Sequence, residues 1–246
     1  MKSLLSGTLS FVLVVAVAAV ARGAEDPAVV RAARAGDGRA VVALIQQKAD
    51  VNASAIDGTT ALHWAVRADD LETVDALIRA GAQDKTASRH GVTPLYIAAD
   101  QGNVAMIRRL VTAGADANRT DISGDTVLMA AVRAGNADAV RALLEAGSQV
   151  NTAEPQVGHT ALMWAVREDR PELVALLIGR GASLELKTRS GGKPAVRPPG
   201  AGGGSHGVGI VRGGVPPQGE QPPAPGGMTA LSFAAREGRL EAARLL

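Results

Sequence analysis

Cysteine is absent, and aromatic side chains are scarce, with two Trp, one Tyr and two Phe in 246 residues. Without thiols the chain has no disulfide staple, no iron–sulfur cluster, no thiolate zinc site and no cysteine nucleophile. So few rings provide no platform for stacked bases, and any core must be assembled from Ala, Val, Leu and Ile. A surplus of charge is missing too, since 26 Lys and Arg stand against 24 Asp and Glu. What remains is a globular composition, 46% apolar and 20% charged, long enough for one or two domains.

An apolar stretch runs from Phe11 to Ala21, preceded by Lys2 and ending in the small residues Ala19 and Ala21. It is too short to cross a bilayer, for which about 20 residues are needed. Its form is that of a secretory signal peptide over residues 1–24, cleaved after Ala21 or Ala24; an uncleaved anchor is the alternative. Cleavage removes Lys2, and with the later cut Arg22, so the net charge of the mature chain falls close to zero. The basic balance of the whole chain is therefore no argument for nucleic acid. For a chain exported in this way, richness in Ala, Arg and Gly looks bacterial, which places the expected location in the periplasm or the medium, with no stable membrane insertion after cleavage.

The dominant feature is a repeat. Gly58, Gly91 and Gly124 are spaced by 33 residues and Gly158 follows after 34, while Gly81, Gly114, Gly147 and Gly181 keep the same intervals. Between these frames run Thr60, Leu62 and Ala65, then Thr93, Leu95 and Ala98, and the triplet recurs from Thr126, Thr160 and Thr229. Each Thr suits the cap of a helix, and Pro94 suits a first-turn position whose N–H needs no partner. Leu62, Ala65 and Val66 then share one helix face, as do Val74, Leu77 and Ile78 on a second helix. Gly102, Gly135 and Gly238 suit the turn between the two helices. Helices of about eight to ten residues are too short to persist alone in water, so the units must stack.

Thr93-Pro94-Leu95-Tyr96-Ile97-Ala98 and Thr60-Ala61-Leu62-His63-Trp64-Ala65 resemble the T-P-L-H-x-A signature of ankyrin repeats, and Gly114-Ala115-Asp116-Ala117-Asn118 is similar to that family's loop after the second helix. The resemblance implies an all-α solenoid of stacked helix–turn–helix units with β-hairpin-like loops. It assigns repeats one to five to residues 25–190 and the start of a sixth to 228–246. Repeat one lacks the opening Thr and Leu and carries Lys48 at the helix-stop glycine, as befits an N-terminal cap. One extra residue falls in the loop around Glu154-Pro155-Gln156-Val157. By register Leu246 aligns with Leu77, Leu110, Leu143 and Leu177, so the sequence stops inside a second helix. Stacks normally end in a polar cap, and more repeats or another domain are expected downstream.

Residues 191–227 hold 13 Gly and 8 Pro, with no aromatic residue. This composition buries no core and is expected to form a disordered insert in a hairpin loop. Gly203-Gly204-Ser205-His206-Gly207 matches the nucleophile-elbow pattern, but that chemistry needs a strand before the serine and a helix after it. Gly191-Gly192-Lys193 lacks P-loop spacing, with Pro194 where a hydroxyl is required. No two of His63, His90, His159 and His206 have metal-ligand spacing. The resemblance implies a structural hydrogen-bonding role for His63, whereas His90 and His159 are expected at solvated or partner-facing loop tips. Asp69-Asp70 and Glu168-Asp169 fall at inter-helix turns, where short acidic residues serve the turn. Asn52-Ala53-Ser54 and Asn118-Arg119-Thr120 are glycosylation acceptors in a eukaryotic source only. No catalytic residue, cofactor or metal is expected.

In a stack of this kind the loop tips and first helices line a groove, and the resemblance implies protein binding there. Trp64, Trp164 and Phe233 share one register, with Ile97 and Ala130 between them, and inter-repeat packing is the ordinary expectation for such a column. Three residues on, Arg34, Arg67, Arg133, Arg167 and Arg236 form a second column interrupted by Asp100. Their ordinary fate is pairing with carboxylates such as Glu168 and Glu237; otherwise they form a surface for an acidic partner segment. The loop tips vary, and variation on a constant scaffold tunes recognition. Candidate contact residues are Trp64, Arg67, Arg89, His90, Asp121, Arg133, Trp164 and Arg167. The functional expectation is a non-catalytic protein-binding scaffold; the alternative is the targeting arm of an enzyme or effector encoded beyond residue 246. Nucleic acid is not expected, given the near-zero mature charge and the lack of aromatic and basic residues interleaved along the chain.

Overall fold

The computed structural model describes residues 25–189 and 226–246. The expected signal segment and residues 190–225, which include the serine motif and nearly all of the Gly/Pro tract, lie outside the described residues. Twelve helices form six antiparallel pairs among the described residues: α1 (Ala28–Arg34) with α2 (Gly38–Gln46), α3 (Ala61–Arg67) with α4 (Leu71–Arg79), α5 (Pro94–Asp100) with α6 (Val104–Thr112), α7 (Val127–Ala134) with α8 (Ala137–Glu145), α9 (Ala161–Arg167) with α10 (Pro171–Gly179), and α11 (Ala230–Arg236) with α12 (Leu240–Leu245). The first helix of each pair packs against the first helices on either side, and the second helices form an outer row.

From the second repeat on, each first helix starts where the threonine register dictates, whereas α1 follows Pro27 with no side-chain cap. The hydroxyls of Thr93, Thr126, Thr160 and Thr229 accept hydrogen bonds from the backbone N–H groups of Tyr96, Met129, Met163 and Ser232, a cap that contributes about 1 kcal/mol. At Thr60 the histidine takes part: His63 Nδ1 accepts from the Thr60 N–H at 3.1 Å, and its Nε2 lies 3.0 Å from the carbonyl of Val92 in the next repeat. A carbonyl only accepts, so the proton sits on Nε2 and the ring is neutral. Burial lowers the pKa of His63 in the same sense. In α7 every residue from Val127 to Val132 is buried, because this inner helix has neighbours on both sides and outer helices behind it.

Glycine stops most second helices, but Lys48 takes that place in repeat one with φ of 60°, and Asp69 and Asp169 hold similar left-handed positions between paired helices. A Cβ at such a φ costs about 1 kcal/mol or more, and Lys48 is exposed. Lys48→Gly should therefore stabilise the chain by about 1 kcal/mol, measured as a raised urea midpoint; an unchanged or lowered midpoint would count against strain there.

The loops after the second helices are hairpins closed by single bridges at Ser54–Thr60, Thr120–Thr126 and Ala153–Thr160. Adjacent tips are bonded through their backbones, from Arg89 N–H to the Asp57 carbonyl at 2.8 Å, Ile122 to His90 at 3.0 Å and Arg189 to Val157 at 2.7 Å. Proline interrupts this ladder at residue 155, which has no N–H to offer, and the tip closes over Gly124, where a Cβ would meet Pro155 Cδ at 2.1 Å. Below the tips, asparagines link repeats. Asn52 donates to the Gly81 carbonyl and accepts from Gln83 N–H, and Asn118 does the same with Gly147 and Gln149. Both amides that open the glycosylation triplets are thus engaged in holding the next repeat.

The stack resumes beyond the tract. Thr188 N–H donates to the Met228 carbonyl at 2.9 Å, and Gly227 N–H donates to the Thr188 carbonyl at 2.7 Å. The two flanks of residues 190–225 therefore form the stem of one hairpin, and α11 and α12 pack on α9 and α10.

Candidate functional site

The repeat period places every first-helix residue of one register in a row, so residues 30 to 34 apart in sequence become neighbours across the stack. This brings the two candidate columns together. The Arg34 and Arg67 guanidinium carbons lie 4.7 and 5.7 Å from the ring centre of Trp64, and those of Arg133 and Arg167 lie 5.2 and 4.9 Å from that of Trp164. Arg236 lies 5.3 Å over Phe233. Cation–π contacts of this kind contribute about 0.5–1 kcal/mol each at exposed sites, and their larger effect is to fix where the guanidinium stands. Aromatic and basic residues are therefore interleaved in space, contrary to the expectation from reading along the chain: Arg67, Arg167 and Arg236 cover the ring three residues earlier in their own helix, while Arg34 and Arg133 reach the tryptophan of the next repeat.

The column is not uniform in charge. Arg34 pairs with Asp26 at 2.6 Å, Arg133 with Asp125 at 2.5 Å and Arg236 with Glu237 at 2.8 Å. Arg67 and Arg167 are exposed, and neither has a carboxylate partner among the described residues. The expected pairing of Arg167 with Glu168 does not form, since the arginine is turned over the Trp164 ring instead.

Arg133 belongs to a local network rather than to an open surface. Tyr96 Oη donates to Asp125 Oδ2 at 2.9 Å and accepts from Arg133 at 3.1 Å. Burial and the Asp125 charge raise the Tyr96 pKa. At Arg133 burial disfavours the charge, but Asp125 and Tyr96 outweigh it and the pKa rises. Among the eight candidate residues, Arg133 is thus the one whose charge the protein itself answers most fully.

The tips supply the other wall. Arg89 and His90 are exposed, between the exposed apolar tips Ile56 and Ile122. Asp121 faces its own loop, where Oδ1 accepts from Ser123 N–H, Ser123 Oγ and Asp125 N–H. Asp57 likewise accepts from Thr59 N–H and its hydroxyl, and these bonds lower its pKa. His159 is not a solvated tip residue. It stands 5.6 Å from the Trp164 ring and 6.0 Å from Phe233 with Glu154 Oε1 at 3.4 Å, and burial lowers its pKa. Glu154 is buried with it, accepting from the N–H groups of Gln156, Val157 and His159 to shape the enlarged tip.

Two clefts open between tips and first helices. The first, about 260 Å³, is lined by Asp57, His63, Trp64, Arg67, His90 and Ile97. The second, about 310 Å³, includes His159, Arg167, Arg189, Phe233 and Arg236. Val92 and Met228, each preceding a capping threonine, occupy matching places in the two clefts, as do Ile97 and Phe233. The columns in the rows Trp64–Phe233 also differ in depth: Ile97, Ala130 and Phe233 are buried, while both tryptophans are half-exposed. The Trp64 indole N–H reaches Thr59 Oγ1 at 3.2 Å, whereas that of Trp164 is buried without an acceptor among the described residues, because His159 replaces the hydroxyl at this register.

Among the described residues no cluster of His, Asp or Glu is arranged to hold a metal ion, and no helix is long and apolar enough to cross a membrane. A family model for ankyrin repeats (three copies) matches residues 29–121 and 106–188. No curated protein gives a significant match.

Proposed function

Because the chain belongs to the ankyrin-repeat family, we propose that it is a non-catalytic scaffold that holds a partner protein in the groove between the hairpin tips and the first helices. The observation that carries this reading is the contrast between constant and variable positions. Thr60, Thr93, Thr126, Thr160 and Thr229 all cap helices, while the tips present Ile56, Arg89 and Ile122 from one register to solvent. A fixed frame that displays different exposed side chains at equivalent points is suited to reading a partner surface. Chemistry is given no support by the two clefts, whose histidines are occupied by structural contacts, with the exception of His90. Export to the periplasm or the medium is part of the proposal, supported by the apolar stretch from Phe11 and the Ala19-x-Ala21 site.

A photo-crosslinking residue tests the surface. Placed at Ile122 on a tip, it should trap a discrete protein from the cell of origin; placed at Arg108, exposed on the outer helix α6, it should trap none. Equal trapping from both positions, or trapping from Arg108 alone, would move the interface to the outer face.

A further inference from the structure

Resting on the groove reading, we propose that Arg67 and Arg167 are twin carboxylate anchors for an extended acidic protein segment whose two anchoring acidic residues lie about nine positions apart. Three observations meet at these residues. Each guanidinium is exposed and without a carboxylate partner among the described residues. Each is held over a tryptophan ring, Arg67 on Trp64 and Arg167 on Trp164. Each lines one of the two clefts, which therefore recur at matching places in the stack.

A guanidinium fixed over a ring has lost much of its rotational freedom before any ligand arrives, so less is lost when its planar N–H edge meets a carboxylate. Such a pair forms two parallel charge-assisted bonds. Three groove carboxylates are engaged within their own loops or with Arg133, since Asp57 is bonded to Thr59, Asp121 to Ser123, and Asp125 to Arg133 and Tyr96; Asp100 is the exposed one.

The spacing follows from the period. Positions 64 and 164 are three repeats apart, and neighbouring helices stack at about 10 Å, which separates the anchors by about 30 Å. An extended chain advances about 3.3 Å per residue, so about nine residues bridge that distance. Between the anchors the column offers exposed Asp100 and the internally paired Arg133. A nucleic-acid strand carries a phosphate every 3.4 Å or so along a duplex strand, a density that two separated cations with an intervening carboxylate do not match. A protein segment with two separated acidic residues does.

The test uses the full chain and fluorescein-labelled Gly/Ser peptides carrying two Glu residues nine or four positions apart, or one Glu only, followed by fluorescence anisotropy. The nine-spaced peptide should bind at least tenfold more tightly than the other two, since the second contact is then intramolecular, and the advantage should shrink with added salt. Arg67→Gln or Arg167→Gln should each reduce it to the level of the single-Glu peptide, and Arg67→Lys should restore little of it. The charge-matched pair Arg39→Gln and Arg108→Gln on outer helices should leave it unchanged, with thermal melts confirming that every variant is folded. Absence of peptide binding, affinity independent of spacing, or binding that survives both groove substitutions overturns the proposal. So does tighter binding of a dT20 oligonucleotide lost in the same variants, which would assign the anchors to nucleic acid. If the anchors fail while Ile122 still crosslinks a partner, the groove reading stands without them; if Ile122 traps nothing, that reading fails as well.

Discussion

Leu128→Ala should lower the unfolding free energy by about 2–5 kcal/mol, whereas Leu231→Ala, at the same register of a different repeat, should cost less than about 1 kcal/mol. Both leucines stand two residues after a capping threonine, in sequences that a repeat alignment treats as equivalent. Their surroundings differ. Leu128 is 1% exposed in α7, between α5 and α9, while Leu231 is 50% exposed in α11, which packs on α9 and α12. Truncation at 128 removes contacts on both sides and leaves a cavity in helices too short to stand alone. At 231 half the side chain already meets water, and Ala is the better helix former. Chemical denaturation of the two variants beside the parent chain checks the contrast. Amide exchange should show the loss at Leu128 spreading to α5 and α9, because stability in a stack is shared between neighbours. Equal costs at the two positions would mean that the repeats fold without coupling.

The architecture was legible because it is written in short-range chemistry that recurs. Thr60, Thr93, Thr126, Thr160 and Thr229 cap five first helices at the expected places. Gly58, Gly91, Gly124 and Gly158 take left-handed φ values at the hairpin tips, and Gly81, Gly114, Gly147 and Gly181 do so behind the second helices. Lys48 illustrates the limit of such reading: a departure from the glycine frame is visible in the sequence, but only the backbone shows that the chain keeps its left-handed turn there with a side chain attached.

The groove was legible as two columns and not as one surface. A residue list shows Trp64 and Arg34 thirty positions apart, and nothing local announces that the arginine of one repeat covers the tryptophan of the next. Which arginines stay open depends on rarer features still. Arg133 pairs directly with Asp125, and Tyr96, at the position that His63 fills one repeat earlier, bonds to both. His159 is drawn inside because the enlarged tip turns Glu154 inward, a consequence of its extra residue and of Pro155 breaking the tip ladder. These are contacts between repeats that differ from one another, so a consensus pattern carries no trace of them.

The same departure from consensus sets the last expectation, at Asp84. This carboxyl lies at the register of Val51, Ala117, Val150 and Leu184, an apolar row along the loops. Burial raises its pKa to about 7, although the Leu95 N–H, donating to Oδ1 at 2.8 Å, and Arg119 act in the opposite direction. Unfolded, the group titrates near 3.9. Between about pH 4 and 7 the folded chain therefore holds more protons than the unfolded one, and stability must fall as pH rises through that window, then level off. His63 and His159 act with the opposite sign: burial lowers their pKa values, so the unfolded chain takes up protons first and their contribution, complete above about pH 6.5, is lost as pH falls. Asp84→Asn separates the two effects, since the amide oxygen still accepts from Leu95 and carries no charge. The variant should be more stable than the parent by about 2–4 kcal/mol at pH 8, less than the full difference in pKa would imply because the loop keeps some access to water. Near pH 4.5, where the parent carboxyl is protonated when folded, the gap should nearly close. Urea titrations of both proteins across this range measure the difference directly, and a variant no more stable than the parent at pH 8 would show that Asp84 is ionised in the fold at little cost.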